Sequence, residues 1–148
     1  MAQNINEVEL ALWFHDAIYK PFSGSNESDS ADWAKAFLKL NGVSQDSQNN
    51  IHNLIMATSY SHIAETNDER LIADIDLAIL GANHDRYADF QTGVRKEYSK
   101  VPSIIFMKKR KDLLATFLKK NRIFTFDWFY DEFEKQARKN ISQELKHL

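Results

Sequence analysis

The stretch FDWFYDEFEKQARKNISQELK at residues 126–146 decides the fold class, because its apolar side chains recur at helical spacing. From Phe126 they follow the i, i+3, i+4, i+7 pattern of one helix face. The stripe consists of Phe126, Phe129, Tyr130, Phe133, Ala137 and Ile141. Polar and charged residues occupy most of the remaining positions, so the segment is predicted to be an amphipathic helix whose apolar face meets a core or a partner.

The helical pattern extends back along the chain. Six more helices are predicted, at about 6–18, 27–40, 45–59, 68–80, 84–98 and 103–120. Asn26 and Ser44 are predicted N-caps, Gly81 ends the fourth helix, and Pro102 fits the first turn of the sixth. The first helix is apolar almost all round after Glu9, which predicts that it is buried. The sequence therefore predicts an all-α fold of about six to seven helices.

Composition agrees with one helical domain over residues 1–148. Apolar residues make up 43% and charged residues 27% of the 148, which is typical of an ordered globular chain. The absence of Cys excludes disulfide scaffolds, thiolate metal sites and cysteine nucleophiles. No apolar run approaches the ~20 residues of a membrane span, and the N-terminus lacks a signal-peptide pattern. A soluble cytoplasmic protein with no membrane partner is expected.

Charge is spread unevenly along the chain. The net charge is −2, but residues 1–94 contain 5 basic and 14 acidic side chains, whereas residues 95–122 contain 10 basic and 2 acidic. The basic segment is interpreted as a solvated helix face. Nucleic-acid binding is the lowest-ranked alternative, because the net charge is negative and the basic residues do not alternate regularly with aromatic ones. The acidic part contains most of the candidate ligands, which suits a cation.

A His-Asp pair lies at the end of the first predicted helix. His15 falls on the predicted buried face, and Asp16 follows it. A buried imidazole and a buried carboxylate each need a partner. Together they offer the nitrogen and oxygen donors that suit divalent ions such as Mn, Fe, Zn or Mg. For such a pair taken alone, a structural hydrogen-bonding role is the commoner alternative.

Three further places contain candidate residues. The carboxylates of Asp74 and Asp76 point about 200° apart on a helix, and Asp76 is predicted nearer the core and preferred as a ligand. A salt bridge is its alternative role. His62 lies in a polar loop after the third helix. A histidine there can reach a cleft, and the alternative is that its side chain is simply exposed. Asn26 and Glu27 begin the second helix, where capping is the simplest interpretation.

The ordered set of motifs resembles the HD superfamily of metal-dependent phosphohydrolases, and more closely a bacterial branch of predicted HD phosphohydrolases. The similarity runs in order from about residue 7 to 145. The segments that carry it are ELALWFHDAIY (9–19), NESDSA (26–31), IMATSYSH (55–62), ADIDLAILGA (73–82), VRKEYSKVP (94–102), RKDLLATFLKKNRIF (110–124) and EKQARKNISQEL (134–145).

The resemblance implies an HD-like orthogonal helical bundle with one divalent metal, sometimes two, in a cleft between helices. The family's ligand pattern, His…His-Asp…Asp, is carried over to His15, Asp16 and Asp76, with Asp74 as the alternative to Asp76. The metal is left open among Mn, Fe, Ni, Zn and Mg. By the same resemblance, His62 is a ligand of a second metal or a contact to substrate phosphate. Glu27 is expected to orient or protonate a leaving group.

The implied reaction is hydrolysis of a small phosphoester, with a nucleotide as one such substrate, by a metal-activated water. Asp16 or Asp76 would take the proton of that water. His62, Arg95 and Lys96 would bind the substrate phosphate.

One departure from the family pattern concerns its first histidine. That residue lies on a helix upstream of the His-Asp pair, whereas His15 is the first histidine of this sequence. The chain is therefore expected to be a truncated or naturally short form. A degenerate HD-fold module that binds without catalysis is the alternative function. Loss of a helical layer predicts exposed apolar surface around Leu10, Trp13 and Phe14, which a homodimer would cover.

Overall fold

The computed structural model describes all 148 residues, and every regular element in it is helical. The first six helices are α1 (Ile5–Phe14), α2 (Asn26–Leu40), α3 (Gln45–Met56), α4 (Asn67–Leu77), α5 (His84–Glu97) and α6 (Ser103–Lys119), with a 3-10 turn at Ala78–Gly81. The last helix runs without a break through α7 (Asp127–Phe129), a π-helical segment (Tyr130–Glu134) and α8 (Lys135–His147). The predicted all-α class is confirmed. None of the helices is both long enough and apolar enough to cross a membrane.

The helix limits agree closely with the sequence-based prediction, except at the end of α1. Six of the seven predicted helices begin and end within three residues of the observed limits. Ser44 caps α3 as predicted, since its side chain accepts a hydrogen bond from the Ser47 N–H. Helix α1 ends at Phe14, whereas the prediction continued it to residue 18.

The early end of α1 results from hydrogen bonds with α2. The buried Ser30 hydroxyl accepts from the Ile18 N–H (3.0 Å) and donates to the Ile18 carbonyl (3.1 Å). The Asn26 side chain binds the N–H and carbonyl of Lys20 in the same way, at 2.8 Å each. These bonds satisfy backbone groups that a longer helix would have paired internally. The prediction of Asn26 as an N-cap is wrong: Ser25 precedes the helix, with no side-chain capping bond.

The exposure of α1 corrects one expectation and confirms another. Only one face of the helix is buried, through Val8 and Ala11, so the prediction of burial all round is wrong. Trp13 is 77% exposed and Leu10 37%. The predicted exposure of apolar surface on this helix is therefore confirmed. Phe14 is half-buried because its ring packs edge-on against Trp33, with 5.5 Å between the ring centres.

Backbone contacts divide the chain into two compact units, Met1–Asp76 and Leu77–Leu148. In the first unit, α2 packs on α3, and α1 packs on both. Its most deeply buried apolar residues are Ala11, Ala31, Ala34, Ile51, Ile55 and Ile72. The same unit contains both the end of α1 and helix α4 as far as Asp76.

The second unit is built on α6 and α8, with the 3-10 turn against the last helix. Its fully buried apolar residues are Leu114, Phe124, Ala137 and Ile141. Gly81 permits a close approach, because a Cβ atom there would lie 2.6 Å from the Phe133 Cβ. The Asn140 amide fixes the same turn by donating to the carbonyls of Leu80 (2.8 Å) and Ala82 (2.9 Å).

Candidate functional site

Three of the predicted metal ligands come together in the first unit. His15 follows directly after α1, and Asp76 lies in the last turn of α4. The His15 Nε2 atom is 3.3 Å from Asp16 Oδ2 and 3.3 Å from Asp76 Oδ1. The fold thus joins residues that are far apart in sequence, and the imidazole lies between two carboxylates.

The His15 ring is held in one orientation by the backbone. Its Nδ1 atom lies 2.7 Å from the Leu12 carbonyl oxygen, which can only accept a hydrogen bond. Nδ1 therefore carries the hydrogen, and Nε2 faces the carboxylates. Two carboxylate oxygens would repel a bare nitrogen lone pair, so Nε2 requires either a proton or a cation between itself and the two aspartates.

The electrostatic setting of His15 favours positive charge at this point. The contact with the Asp76 carboxylate raises the pKa of His15 to about 9, against the opposing effect of burial. The bond to Leu12 and the charges of Asp16 and Asp76 add to the increase. At neutral pH and without a metal, the imidazolium of His15 pairs with both carboxylates. One positive and two negative groups then give the cluster a net charge of about −1.

The cluster is open to solvent on one side. The side chain of His15 is 19% exposed and that of Asp76 25%, whereas that of Asp16 is 71% exposed. Asp16 therefore borders solvent, and the other two side chains are largely shielded. An exchangeable group at the cluster has access from the Asp16 side.

The order of burial of the two α4 aspartates is opposite to the prediction. Asp74 is 1% exposed, so it lies deeper in the core than Asp76. The preference for Asp76 follows from a helix wheel with its core stripe at Ile72, Ile75 and Ile79. That wheel misplaces the core, because Ile75 and Ile79 are only half-buried. The buried apolar residues of this helix are Leu71, Ile72 and Leu77. Asp76 is nevertheless the aspartate that contacts His15.

The other two predicted site residues of the first unit, His62 and Glu27, do not bond to this cluster. His62 occupies the turn after α3, and its Nε2 atom is 3.4 Å from Glu69 Oε2. Glu27 is half-buried in the first turn of α2. Neither side chain makes a hydrogen bond or ion pair with His15, Asp16 or Asp76.

The predicted phosphate-binding residues Arg95 and Lys96 lie near the end of α5, in the second unit. Lys96 is exposed. Arg95 donates to the Tyr98 carbonyl (2.7 Å) and to the Ser103 hydroxyl (3.1 Å), so its guanidinium is held against its own unit.

The donor set suits a divalent ion in its chemistry. Imidazole nitrogen and carboxylate oxygen are ligands for Mn, Fe, Ni, Zn and Mg. Each nitrogen–oxygen separation is 3.3 Å, and adjacent ligands around such an ion lie roughly 3.0–3.4 Å apart, given metal–ligand bonds of about 2.1 Å. As the side chains stand, however, they contact one another, and no group of three or more His, Asp or Glu side chains could hold an ion without rearrangement.

Comparison with protein families, with curated proteins and with solved structures finds no match for this chain. The all-α class therefore rests on the structure itself. The HD-like identity stays a prediction from the sequence.

A second ionic cluster, which sequence reasoning missed, lies buried in the second unit. Arg110 Nε donates to Glu144 Oε1 at 2.7 Å, and the Tyr87 hydroxyl donates to Glu144 Oε2. Arg110 belongs to the basic segment 95–122, for which the sequence predicts a solvated helix face; its burial, with 9% exposure, shows that this prediction is wrong at Arg110. A local signal was present, because Arg110 shares one face of α6 with Phe106 and Leu114, four residues away on either side.

Proposed function

We propose that the chain is a divalent-metal-dependent phosphohydrolase whose ion is held by His15, Asp16 and Asp76. The observation that carries the proposal is the orientation of His15: Nδ1 donates to the Leu12 carbonyl at 2.7 Å, and Nε2 points at both carboxylates. Histidines that ligate metals are commonly oriented by such a bond from the second ring nitrogen. The resemblance of the motifs to HD phosphohydrolases supplies the reaction class.

The residues of the site have different roles in this proposal. When bound, the metal would supply an acidified water and polarise a phosphoryl oxygen. Asp76 is shielded and would serve only as a ligand, whereas Asp16, with a 71% exposed side chain, is better placed to accept a proton from solvent water. The roles of His62 toward the phosphate and of Glu27 toward the leaving group rest on the sequence. The proposed substrate is a small phosphoester, of which a nucleotide is one example.

Elemental analysis of the purified full chain tests the site directly. We expect an equimolar amount of metal after reconstitution with Mn²⁺ or Fe²⁺, lost in His15→Ala and in Asp76→Ala. His52→Ala is the matched control, because His52 pairs with Asp32 at 3.2 Å elsewhere in the same unit. Metal-dependent hydrolysis of nucleotides or of a chromogenic phosphodiester should follow the metal content across these variants. Equal loss in all three variants would contradict a site at His15.

A degenerate, non-catalytic module is the second candidate, and one observation favours it. A protonated His15 satisfies both carboxylates without an ion, as the raised pKa of His15 indicates. In that case the wild-type chain takes up no stoichiometric metal, and chelation leaves its melting temperature unchanged. The exposed Leu10 and Trp13 would then serve association, including the homodimer expected from the sequence. Sedimentation of wild type and Trp13→Ala tests that association.

A further inference from the structure

A cavity of about 550 Å³ lies within the second unit, between α5, α6 and α8. This volume is within the range typical of small-molecule sites, roughly 300–1,000 Å³. Its apolar lining includes Tyr87, Ala88, Phe106 and Met107. Methionine adapts its shape to an apolar ligand, and Phe106 provides a flat surface beside it. The walls therefore suit an aliphatic or aromatic body.

Two charged residues of the cavity wall, Arg110 and Glu144, already form an ion pair with each other. Arg110 binds Glu144 through two hydrogen bonds, of 2.7 and 3.2 Å, and Tyr87 donates to the same carboxylate. One cation and one anion thus cancel within the wall. Both residues are buried, with 9% and 8% exposure, so this pair is a fixed part of the cavity.

Arg95 is the second arginine of the cavity wall, and it has no carboxylate partner. Its acceptors are neutral: the carbonyls of Tyr98 (2.7 Å) and Val101 (3.5 Å) and the hydroxyl of Ser103 (3.1 Å). It makes no ion pair, and its guanidinium carbon lies 4.9 Å from the centre of the Phe106 ring. These three bonds use three of its five N–H groups and hold the guanidinium at the cavity wall. A guanidinium fixed beside an apolar wall suits the anionic head of an amphipathic ligand.

We propose that this cavity binds a small amphipathic carboxylate, with the anionic head at Arg95 and the apolar body against Phe106 and Met107. A carboxylate is preferred to a doubly charged phosphate, because Arg95 is the only arginine of the wall without a carboxylate partner. The proposal concerns only the second unit and is independent of the phosphohydrolase site in the first.

Titration of the full chain with octanoate, followed by amide and indole NMR shifts, tests the proposal. We expect saturable shifts at Ala88 and Met107. Octanamide, which has the same length and no charge, should bind roughly tenfold more weakly, as expected for loss of a charge-assisted hydrogen bond. Shifts confined to the exposed indoles of Trp13 and Trp33 would instead assign octanoate to the aromatic surface of the first unit and overturn the proposal.

Two variants separate the head-group contact from the apolar contact. Arg95→Gln should weaken the binding of octanoate roughly tenfold and leave the affinity for octanamide within about twofold of wild type. Arg86→Gln is the matched control, since Arg86 is exposed on the same helix and does not line the cavity. Met107→Trp fills the cavity and should abolish binding of both compounds. Melting temperatures confirm that each variant is folded. Equal octanoate affinity in wild type, Arg95→Gln and Met107→Trp would refute the site.

Discussion

The two units each contain a cluster of ionisable side chains, and the clusters differ in how tightly they are bonded. In the second unit, Arg110 and Glu144 meet at 2.7 Å and both are less than 10% exposed. In the first, His15 lies 3.3 Å from each of two carboxylates, and the Asp16 side chain is 71% exposed. A short, buried pair cannot exchange its partner without a large cost, whereas a looser cluster at the surface can.

This difference separates a structural network from a candidate functional site. Every charged group of the second cluster is satisfied within the protein, and its pairing fixes α6 against α8. In the first cluster, His15 Nε2 faces both carboxylates, and under the proposed function a cation would replace its proton. The comparison predicts that removing a member costs stability in the second cluster and costs binding in the first.

The largest effect is expected from Glu144→Ala. Loss of the carboxylate leaves the buried Arg110 without its counterion, which costs about 3–5 kcal/mol of the free energy of unfolding. Urea unfolding followed by circular dichroism measures this loss. The double variant Arg110→Met, Glu144→Leu should recover most of it, because no buried charge remains unpaired. A loss below about 1 kcal/mol in the single variant would contradict a closed network.

Gly81→Ala tests how tightly the same unit is packed. The added Cβ would lie 2.6 Å from the Phe133 Cβ and 2.7 Å from its carbonyl oxygen, so the backbone must shift. We expect a loss of about 1–3 kcal/mol in the free energy of unfolding, measured in urea. Gly93→Ala is the control, since no atom approaches within 4 Å there, and it should stabilise α5 by about 0.5–1 kcal/mol. Similar losses at both glycines would show that the contact with Phe133 is unimportant.

The pH dependence of stability should differ in sign between the clusters. The pKa of His15 is raised from 6.5 to about 9 in the folded chain. Protonated His15 therefore contributes its full stabilisation of the folded state below pH 6.5, and this stabilisation is lost as the pH rises toward 9. For Glu144, burial alone would raise the pKa, but the bonds from Arg110 and Tyr87 outweigh it and lower the value. Ionised Glu144 therefore stabilises the folded state above pH 4.5, and this stabilisation is lost as the pH falls through the folded-state pKa of Glu144.

Melting temperatures measured with chelator across this pH range check both signs. His15→Asn should flatten the alkaline side of the profile and leave the acid side unchanged. Glu144→Gln should flatten the acid side. An alkaline decline that persists in His15→Asn would assign it to another group.

Local sequence patterns were sufficient for most of the fold. The signals that predict the helices lie in or next to those helices in sequence. Examples are the terminal residues Ser44 and Gly81 and the apolar stripe beginning at Phe126. Helix α1 was predicted too long because the side chains that hold the following segment, Asn26 and Ser30, come from the next helix. Bonds made by side chains of the next helix leave no trace in the periodicity of the first.

The candidate site was predictable only in part, for the same reason. The burial of Asp74 depends on the rotation of α4 against its neighbours, and the wheel was drawn on the wrong face. Asp76 was chosen on an incorrect estimate of burial and from the family resemblance. Its contact with His15 depends on tertiary packing, which residue spacing does not encode.

Asp16→Asn gives the smallest expected change in stability and the sharpest test of the comparison. Because the Asp16 side chain is 71% exposed, its contact with His15 contributes only about 0–1 kcal/mol to the free energy of unfolding, measured in urea with chelator. The same substitution removes an anionic ligand, so uptake of Mn²⁺ should fall at least tenfold if the cluster is a metal site. Asp85→Asn, in the exposed His84-Asp85 pair, is the control and should change neither quantity. Unchanged stability together with lost metal would establish that Asp16 is held at this position for binding. Unchanged metal uptake would remove Asp16 from the ligand set and leave a structural ion cluster.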